Sequence, residues 1–366
     1  MINQHRKILH VDMDYFYAQV EIRDDPSLKD KYVVIAHEHH RGVICTCSYN
    51  ARALGIHSGM SVTKAKEISD KLTFVAPNME KYKQISNQIM TIIKKYSDII
   101  EQVALDEAYI DVTFNKLGIR DSVKIAKMIK SEIYNQLHLT CSVGVSYNKF
   151  LAKIGSDYQK PNGITVINPD NAKDLLLKLD IKKFLGIGRK TLSICYEQGI
   201  YTGADLYQKD LDQLQLIFGE KTGTRLYNQV RGIDVDNIHY EREVQSISYE
   251  KTLDEDIYFG VDVDDRLKEV SKQTSERLVA KGYGCQTITL RIRFDDFSLV
   301  TRSITLNRVI YEPEEIYKIA KELLKKIMFA GRGVRLIGIG GSKLHPIVKI
   351  KKQKHYKQIL LPLFED

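Results

Sequence analysis

Apolar and polar positions along this chain repeat with two different periods. Ile8-Leu9-His10-Val11-Asp12 is a short apolar run closed by a carboxylate, and it predicts a buried strand. Tyr82, Ile85, Ile89, Ile92, Ile93 and Tyr96 recur at helical spacing, so that stretch predicts a long amphipathic helix. Two extended segments follow, Gln102 to Leu105 and Ala108 to Val112. They are too close together for anything but a hairpin, with Asp106-Glu107 at its tip. Val123, Ala126, Ile129, Ile133 and Leu137 write a second helix, and Thr140 to Val145 a further strand. The order is β-α-β-β-α-β, a split unit interrupted by an insertion at residues 17–78.

Beyond Pro169 the pattern changes to short helices separated by glycines. Leu185-Gly186-Ile187-Gly188-Arg189-Lys190 is the clearest turn, and Phe218-Gly219-Glu220-Lys221-Thr222-Gly223 is a looser second one. After a polar join at residues 234–243, the order strand, helix, strand, strand, helix, strand returns. Its segments are Gln245 to Leu253, Val263 to Val279, Thr287 to Phe294, Val300 to Leu306, Glu314 to Met328 and Val334 to Gly338. Two separate sheets in an α+β protein are therefore expected. In Thr287 to Phe294, alternation sets Thr287, Thr289, Arg291 and Arg293 on one face against Ile288, Leu290, Ile292 and Phe294 on the other. Arg302, Arg332 and Arg335 are expected to extend the basic row.

Composition narrows the class of partner. The 366 residues carry 55 Lys and Arg against 47 Asp and Glu, a formal charge of +8, which favours a polyanion. That charge is concentrated: from Lys318 to Lys357 there are 12 Lys and Arg and one acid, Glu322. No apolar stretch reaches the ~18 residues of a membrane span, and the first ten residues have no signal-peptide pattern. Five scattered cysteines argue against a disulfide framework and fit a reducing, cytoplasmic setting.

Candidate chemistry sits at two strand ends. Asp12, Asp106 and Glu107 would repel one another at one sheet edge unless a cation lay between them, and hard oxygen ligands select Mg²⁺ or Mn²⁺. Ordinary strand-end and turn acids on a solvated rim fit the same spacing. Cys45 and Cys47 have no second Cys or His pair at ligand spacing, which disfavours zinc. His37, His39 and His40 read as a solvated loop.

The letters around these acids resemble the Y-family translesion DNA polymerases, and within them the DNA polymerase IV (DinB) branch. The resemblance rests on HVDMDYFYAQVE at 10–21, TCSYNAR at 46–52, ALDEAYIDVT at 104–113, SVGVSYNKFLAKIGSDYQKPNG at 142–163 and LGIGRKT at 185–191. It implies a right-hand polymerase with a ferredoxin-like palm (1–16 and 79–168), small fingers (17–78) and a helix-hairpin-helix thumb (169–233). A linker (234–243), an α+β little finger (244–345) and a basic tail (346–366) would follow.

Under the resemblance, Asp12, Asp106, Glu107 and the Met13 backbone carbonyl hold two Mg²⁺ ions, for which Mn²⁺ can substitute. Asp14 is not a ligand. Tyr15, Phe16, Thr46, Tyr49, Arg52 and Lys160 bind the incoming dNTP, and Tyr17 is the steric gate against ribonucleotides. An arginine suits this work because its guanidinium can grip a phosphate with two hydrogen bonds. Gly186, Gly188, Arg189 and Lys190 contact primer-template DNA from the thumb, and Arg291, Arg293, Arg302, Arg332 and Arg335 do so from the little finger. Gln358, Leu361, Leu363 and Phe364 resemble a bacterial sliding-clamp-binding peptide. Ala104, where serine is usual, and Asn50 depart from the family pattern.

The expected activity is template-directed, low-fidelity synthesis past damaged bases by a monomer, without proofreading. A palm-based nucleotidyl cyclase would need no thumb, basic module or tail. A noncatalytic DNA-bound scaffold would have no chemical use for the complete set Asp12, Asp106, Glu107, Arg52 and Lys160.

Overall fold

The computed structural model describes residues 6–239, 243–258 and 260–347. The expected clamp peptide and part of the expected linker lie outside the described residues. The chain divides into two compact units, Met1–Glu241 and Arg242–Asp366.

The first unit opens with β1 (Ile8–Met13) and α1 (Phe16–Asp24), then β2 (Tyr32–Ile35), β3 (Thr46–Cys47), α2 (Tyr49–Ala53), α3 (Val62–Ile68) and β4 (Leu72–Val75). It continues through α4 (Met79–Ile93), β5 (Ile100–Gln102), β6 (Glu107–Asp111), α5 (Ser122–Leu137), β7 (Cys141–Ser146), α6 (Lys149–Tyr158) and β8 (Ile164–Val166). Five short helices complete it: α7 (Pro169–Lys178), α8 (Arg189–Glu197), α9 (Gly203–Tyr207), α10 (Leu211–Phe218) and α11 (Glu220–Val230).

The main sheet runs β5-β6-β1-β7-β8, with β1 central and antiparallel to both neighbours. Leu9, Val11 and Met13 of β1 pack into the core shared with α4 and α5. The alternate residues Ile8, His10 and Asp12 face the other way, where α6 lies. Helix α6 sits unusually close to the sheet, because a Cβ on Gly144 would fall 1.8 Å from the Ala152 carbonyl oxygen and one on Gly155 would fall 3.0 Å from the Gly144 Cα. Only glycine permits that approach.

The expected split order is present, followed by α6 and by β8, which joins the sheet edge beside β7. Residues 17–78 contain their own small sheet, β3-β2-β4, with β2 parallel to β4. Strands of four and two residues are too short to leave a period in the sequence. The hairpin also begins earlier than expected, at Ile100, because residues 103–106 form the turn and the Val103 and Ala104 amides both point at the Glu107 carbonyl. The Leu185 turn is preceded by one 3₁₀ turn, Ile181–Lys183, rather than by a full helix. The looser second turn is Gly219, at φ +80°, between α10 and α11.

The polar join is docked rather than free over residues 234–239. Ile238 is buried with Ile8, Tyr109 and Ala152, Asp234 accepts from the Phe150 amide at 2.9 Å, and the His239 amide donates to Glu101 at 2.9 Å.

The second unit comprises β9 (Ser246–Ile257), α12 (Val261–Ala280), β10 (Tyr283–Phe294), β11 (Leu299–Ile310), α13 (Pro313–Leu324) and β12 (Val334–Pro346), with sheet order β11-β10-β12-β9. Ile288, Leu290, Ile292 and Phe294 are fully buried under α12 and α13, as alternation predicts. The basic row is shorter than expected. Arg302 pairs directly with Leu290, so its side chain belongs to the helix-bearing face and not to the face of Arg291. Arg332 lies over the Phe294 ring at 3.8 Å and donates to the Phe329 and Met328 carbonyls, which commits it to the core side. Arg335 falls at the register shift between Val334 and Leu336 and stacks on Phe297 at 4.6 Å. Among the described residues, no helix is long and apolar enough to cross a membrane.

Candidate active site

β1 and β6 are in register so that Asp12 lies directly opposite Glu107, and directly opposed residues project to the same face. Asp106 closes the hairpin turn beside them, its carbonyl accepting from the Met13 amide at 2.9 Å. Asp12 and Glu107 thus meet at one edge, with Asp106 next to them on the turn. The first two are compensated by two ammonium groups: Lys153 Nζ is 2.7 Å from Asp12 Oδ2 and 2.9 Å from Glu107 Oε2, and Lys160 Nζ is 2.6 Å from Asp12 Oδ1.

These neighbours divide the acids electrostatically. The His10 ring, its Nε2 3.5 Å from Glu107 Oε2, and, against the opposing cost of burial, the Lys153 charge hold the Glu107 carboxyl at about 2. Burial, and then the Asp12 charge, push Asp106 upward instead. Burial alone would lower Lys153, but Asp12, Asp157 and Glu107 raise it. His10 is wholly buried, its Nδ1 is 2.8 Å from Ser156 Oγ, and burial pushes the ring's pKa down.

His10, Asp12 and Glu107 have one potential ligand atom each within 4.8 Å of one another. Of these, the carboxylates are the natural ligands for a hard cation, which prefers oxygen donors to an imidazole nitrogen. Oxygen donors that have already drawn in two ammonium groups suit a divalent ion.

Asp12, Met13, Tyr15, Phe16, Tyr17, Thr46, Arg52, Asp106 and Lys160 line one cleft of about 320 Å³, together with Cys45 and Ser58. Tyr15, in the left-handed region at φ +34°, ends β1 abruptly so that α1 starts at the next residue and presents Tyr17 to the cleft. The Tyr17 ring stacks flat on buried Tyr82, with centroids 4.2 Å apart and planes 9° apart. Tyr49 meets Tyr15 edge-on at 4.8 Å, and Arg52 lies over the Tyr49 ring at 5.1 Å while donating to Thr46 Oγ1 at 3.3 Å. The Tyr49 hydroxyl is buried with no hydrogen-bond partner among the described residues, and burial followed by the Asp14 charge raises it.

Asp14 is fully buried and serves the turn instead of the acid cluster. It accepts from Thr140 Oγ1 and Ser142 Oγ, each at 2.8 Å, and from the Asn162 amide at 2.9 Å, which ties β1 and β7 to the turn after Lys160. Lys153, His10, Tyr82 and the tethering role of Asp14 are what sequence reasoning missed. The one available signal was the four-residue spacing of Lys153 and Asp157 within the block that ends in KPNG.

Family models match three segments: the impB/mucB/samB family at residues 11–157, its C-terminal domain at 244–359, and the thumb domain of DNA polymerase-iota at 183–234. The chain is 44% identical over 340 residues to DNA polymerase IV of Streptococcus pneumoniae, covering 91% of this chain and 96% of that one. It is 43% identical over 339 residues to DNA polymerase IV of Lactococcus lactis subsp. cremoris, covering 91% and 93%. The chain belongs to the Y family of DNA polymerases. A solved Y-family DNA polymerase chimera superimposes with a TM-score of 0.84 at 30% identity, over 92% of this chain and 99% of that chain. The right-hand polymerase architecture expected above is therefore present, and Y-family polymerases depend on a metal ion.

Two further surfaces of this Y-family chain carry the residues singled out for DNA. Gly186 is at φ +83°, and Gly188 caps α8 without a side-chain hydrogen bond, leaving Arg189 and Lys190 exposed in the first turn. In the second unit, the sheet face away from the helices bears Thr287, Thr289, Arg291 and Arg293, flanked by Gly338, Gly340, Ser248 and Glu250. Glu250 reaches across Gly338 to Arg291 at 2.5 Å, a crossing that a Cβ on Gly338 would block.

Proposed function

We propose that this chain is a translesion DNA polymerase that extends a primer opposite and past damaged template bases, at low fidelity and without proofreading. The observation that carries the reading is the convergence of Asp12, Asp106, Arg52, Lys160, Thr46 and Tyr17 on one cleft, with Glu107 beside it. Residues 1–16 and 79–168 act as palm, 17–78 as fingers, 169–233 as thumb and 244–345 as little finger.

Asp12, Asp106, Glu107 and the Met13 carbonyl would hold two Mg²⁺ ions, with Mn²⁺ as substitute. Such ions lower the pKa of an attacking hydroxyl and neutralise charge on the leaving oxygen. The chain's own groups do the rest. Arg52 and Lys160 neutralise the triphosphate, the partnerless Tyr49 hydroxyl offers it a donor, and Thr46 and Tyr15 shape the pocket. The primer 3′-OH gives up its proton to solvent, its oxygen forms the new bond to the α-phosphorus as the bond to the α,β-bridging oxygen breaks, and pyrophosphate leaves. Tyr17, held flat by Tyr82, fills the space of a ribose 2′-OH.

Duplex product is gripped through its backbone, by the Gly186, Gly188, Arg189 and Lys190 turn and by Arg291, Arg293 and Arg335. Gln358, Leu361, Leu363 and Phe364 dock a sliding clamp, and the chain acts as a monomer in the cytoplasm. Primer extension on intact template and on template carrying a minor-groove guanine adduct tests the reading. Wild type should extend on both, and Asp106→Asn should lose at least about a thousandfold on both. Equal extension by the variant would sink the assignment. No specific observation favours the noncatalytic scaffold.

A further inference from the structure

The acid cluster already contains the cations that an ion would have to displace. Lys153 Nζ bridges Asp12 Oδ2 and Glu107 Oε2, while Lys160 takes the other Asp12 oxygen. A divalent ion on Asp12 and Glu107 must therefore claim the oxygens that Lys153 holds, and its double charge repels the ammonium from them. A place to retreat lies one turn along the same helix. Asp157 Oδ2 is 3.4 Å from Lys153 Nζ, outside the acid pair, with its side chain 42% exposed. The backbone of α6 cannot follow, because Gly144 and Gly155 hold it against β7. The movement is thus confined to rotation of the lysine side chain.

We propose that Lys153 is a built-in counter-ion that occupies the place of a divalent cation between Asp12 and Glu107, and that metal loading displaces its ammonium onto Asp157. This rests on the reading of Asp12 and Glu107 as metal ligands and adds a positioning residue to it. In the metal-free protein, Lys153 relieves the repulsion that would otherwise open the strand ends. On loading it becomes a competitor, so apparent metal affinity is set by the balance between Lys153 at the acid pair and Lys153 on Asp157.

The test is binding, not turnover. Mn²⁺ is titrated into the full chain and the free ion followed by electron paramagnetic resonance, with thermal unfolding in chelator run beside it. Lys153→Met should bind Mn²⁺ about tenfold tighter than wild type while melting lower in chelator, and Asp157→Asn should bind it about threefold weaker. A lysine of merely structural importance would lower the melting temperature without tightening the metal. Binding by Lys153→Met no tighter than wild type, or by Asp157→Asn as tight as wild type, overturns the proposal. Should Lys153→Met fail to fold, Asp157→Asn decides by the same criterion. Asp12→Asn is the control for the underlying reading: if it takes up Mn²⁺ as wild type does, the ligand assignment itself fails.

Discussion

At the scale of single residues, charge and side-chain position are set by second contacts. The gate proposed for Tyr17 requires a ring that cannot swing away, and the flat stack on Tyr82, whose hydroxyl donates to Glu21 at 2.7 Å, supplies that restraint. Tyr17→Ala is expected to raise ribonucleotide insertion roughly hundredfold while deoxynucleotide insertion stays within a few-fold, whereas Tyr17→Phe keeps the gate. Paired rNTP and dNTP extension assays check this, and undiminished rejection by the alanine variant would remove the gate. The acid cluster also predicts a pH response. Glu107 is held at about 2 against an ordinary 4.5, so its stabilisation is complete above about pH 4.5 and is lost as pH falls toward 2. Burial lowers His10 from its ordinary 6.5, so protonating it costs stability in the fold and acidification erodes stability from about pH 6.5 downward. Glu107→Gln should therefore flatten the lower part of the acid limb and lower the metal-free melting temperature at pH 7 by roughly 2–4 °C. Melting curves in chelator from pH 7 to pH 3 would show it. Asp12, Asp106 and Glu107 were legible as an acid group because they close predicted strands. Lys153 was not, since a lysine at helical spacing from an aspartate is indistinguishable from a surface ion pair.

At the scale of elements, the site depends on α6 lying nearly against the sheet. That approach brings Ser156 to His10 and Lys153 to the strand-end acids, and it exists because Gly144 and Gly155 face each other. Gly144→Ala would set a methyl 1.8 Å from the Ala152 carbonyl, an overlap that only a shift of α6 can relieve. The expected cost is about 3 kcal/mol or more, with loss of extension activity, measurable by denaturant unfolding and primer extension on the same preparation. Helices α4 and α5 were legible because their apolar residues repeat over four turns. The β3-β2-β4 sheet was not, because two to four residues carry no period, and its pairing is made by contacts between Tyr32–Ile35 and Leu72–Val75, far apart in sequence.

At the scale of the whole molecule, the roles proposed for the basic surface and the terminal peptide can be tested apart from the chemistry. The sheet face of the second unit, proposed above to hold DNA, offers small residues and two arginines, and Arg291 is already paired to Glu250, so a phosphate bound there would have to displace that carboxylate. The described residues stop at 347, ahead of the terminal peptide. Deleting Gln358 to Asp366 is expected to abolish clamp-stimulated synthesis while leaving unassisted extension within about twofold. Processivity assays with and without clamp separate the two, and parallel loss of both would reject docking.

The sequence by itself determined what local physics can write: helix periods, strand alternation, the hairpin tip and the acids at strand ends. It also carried the motif blocks that mark the family, because those residues are contiguous. The tertiary structure alone decided which side of β11 Arg302 occupies, that Arg332 is spent on Phe294, that residues 234–239 pack on the first unit, and that Lys153 meets Asp12. Each of these depends on strand register or on the distance between elements, and neither quantity is stored in any short stretch of the chain.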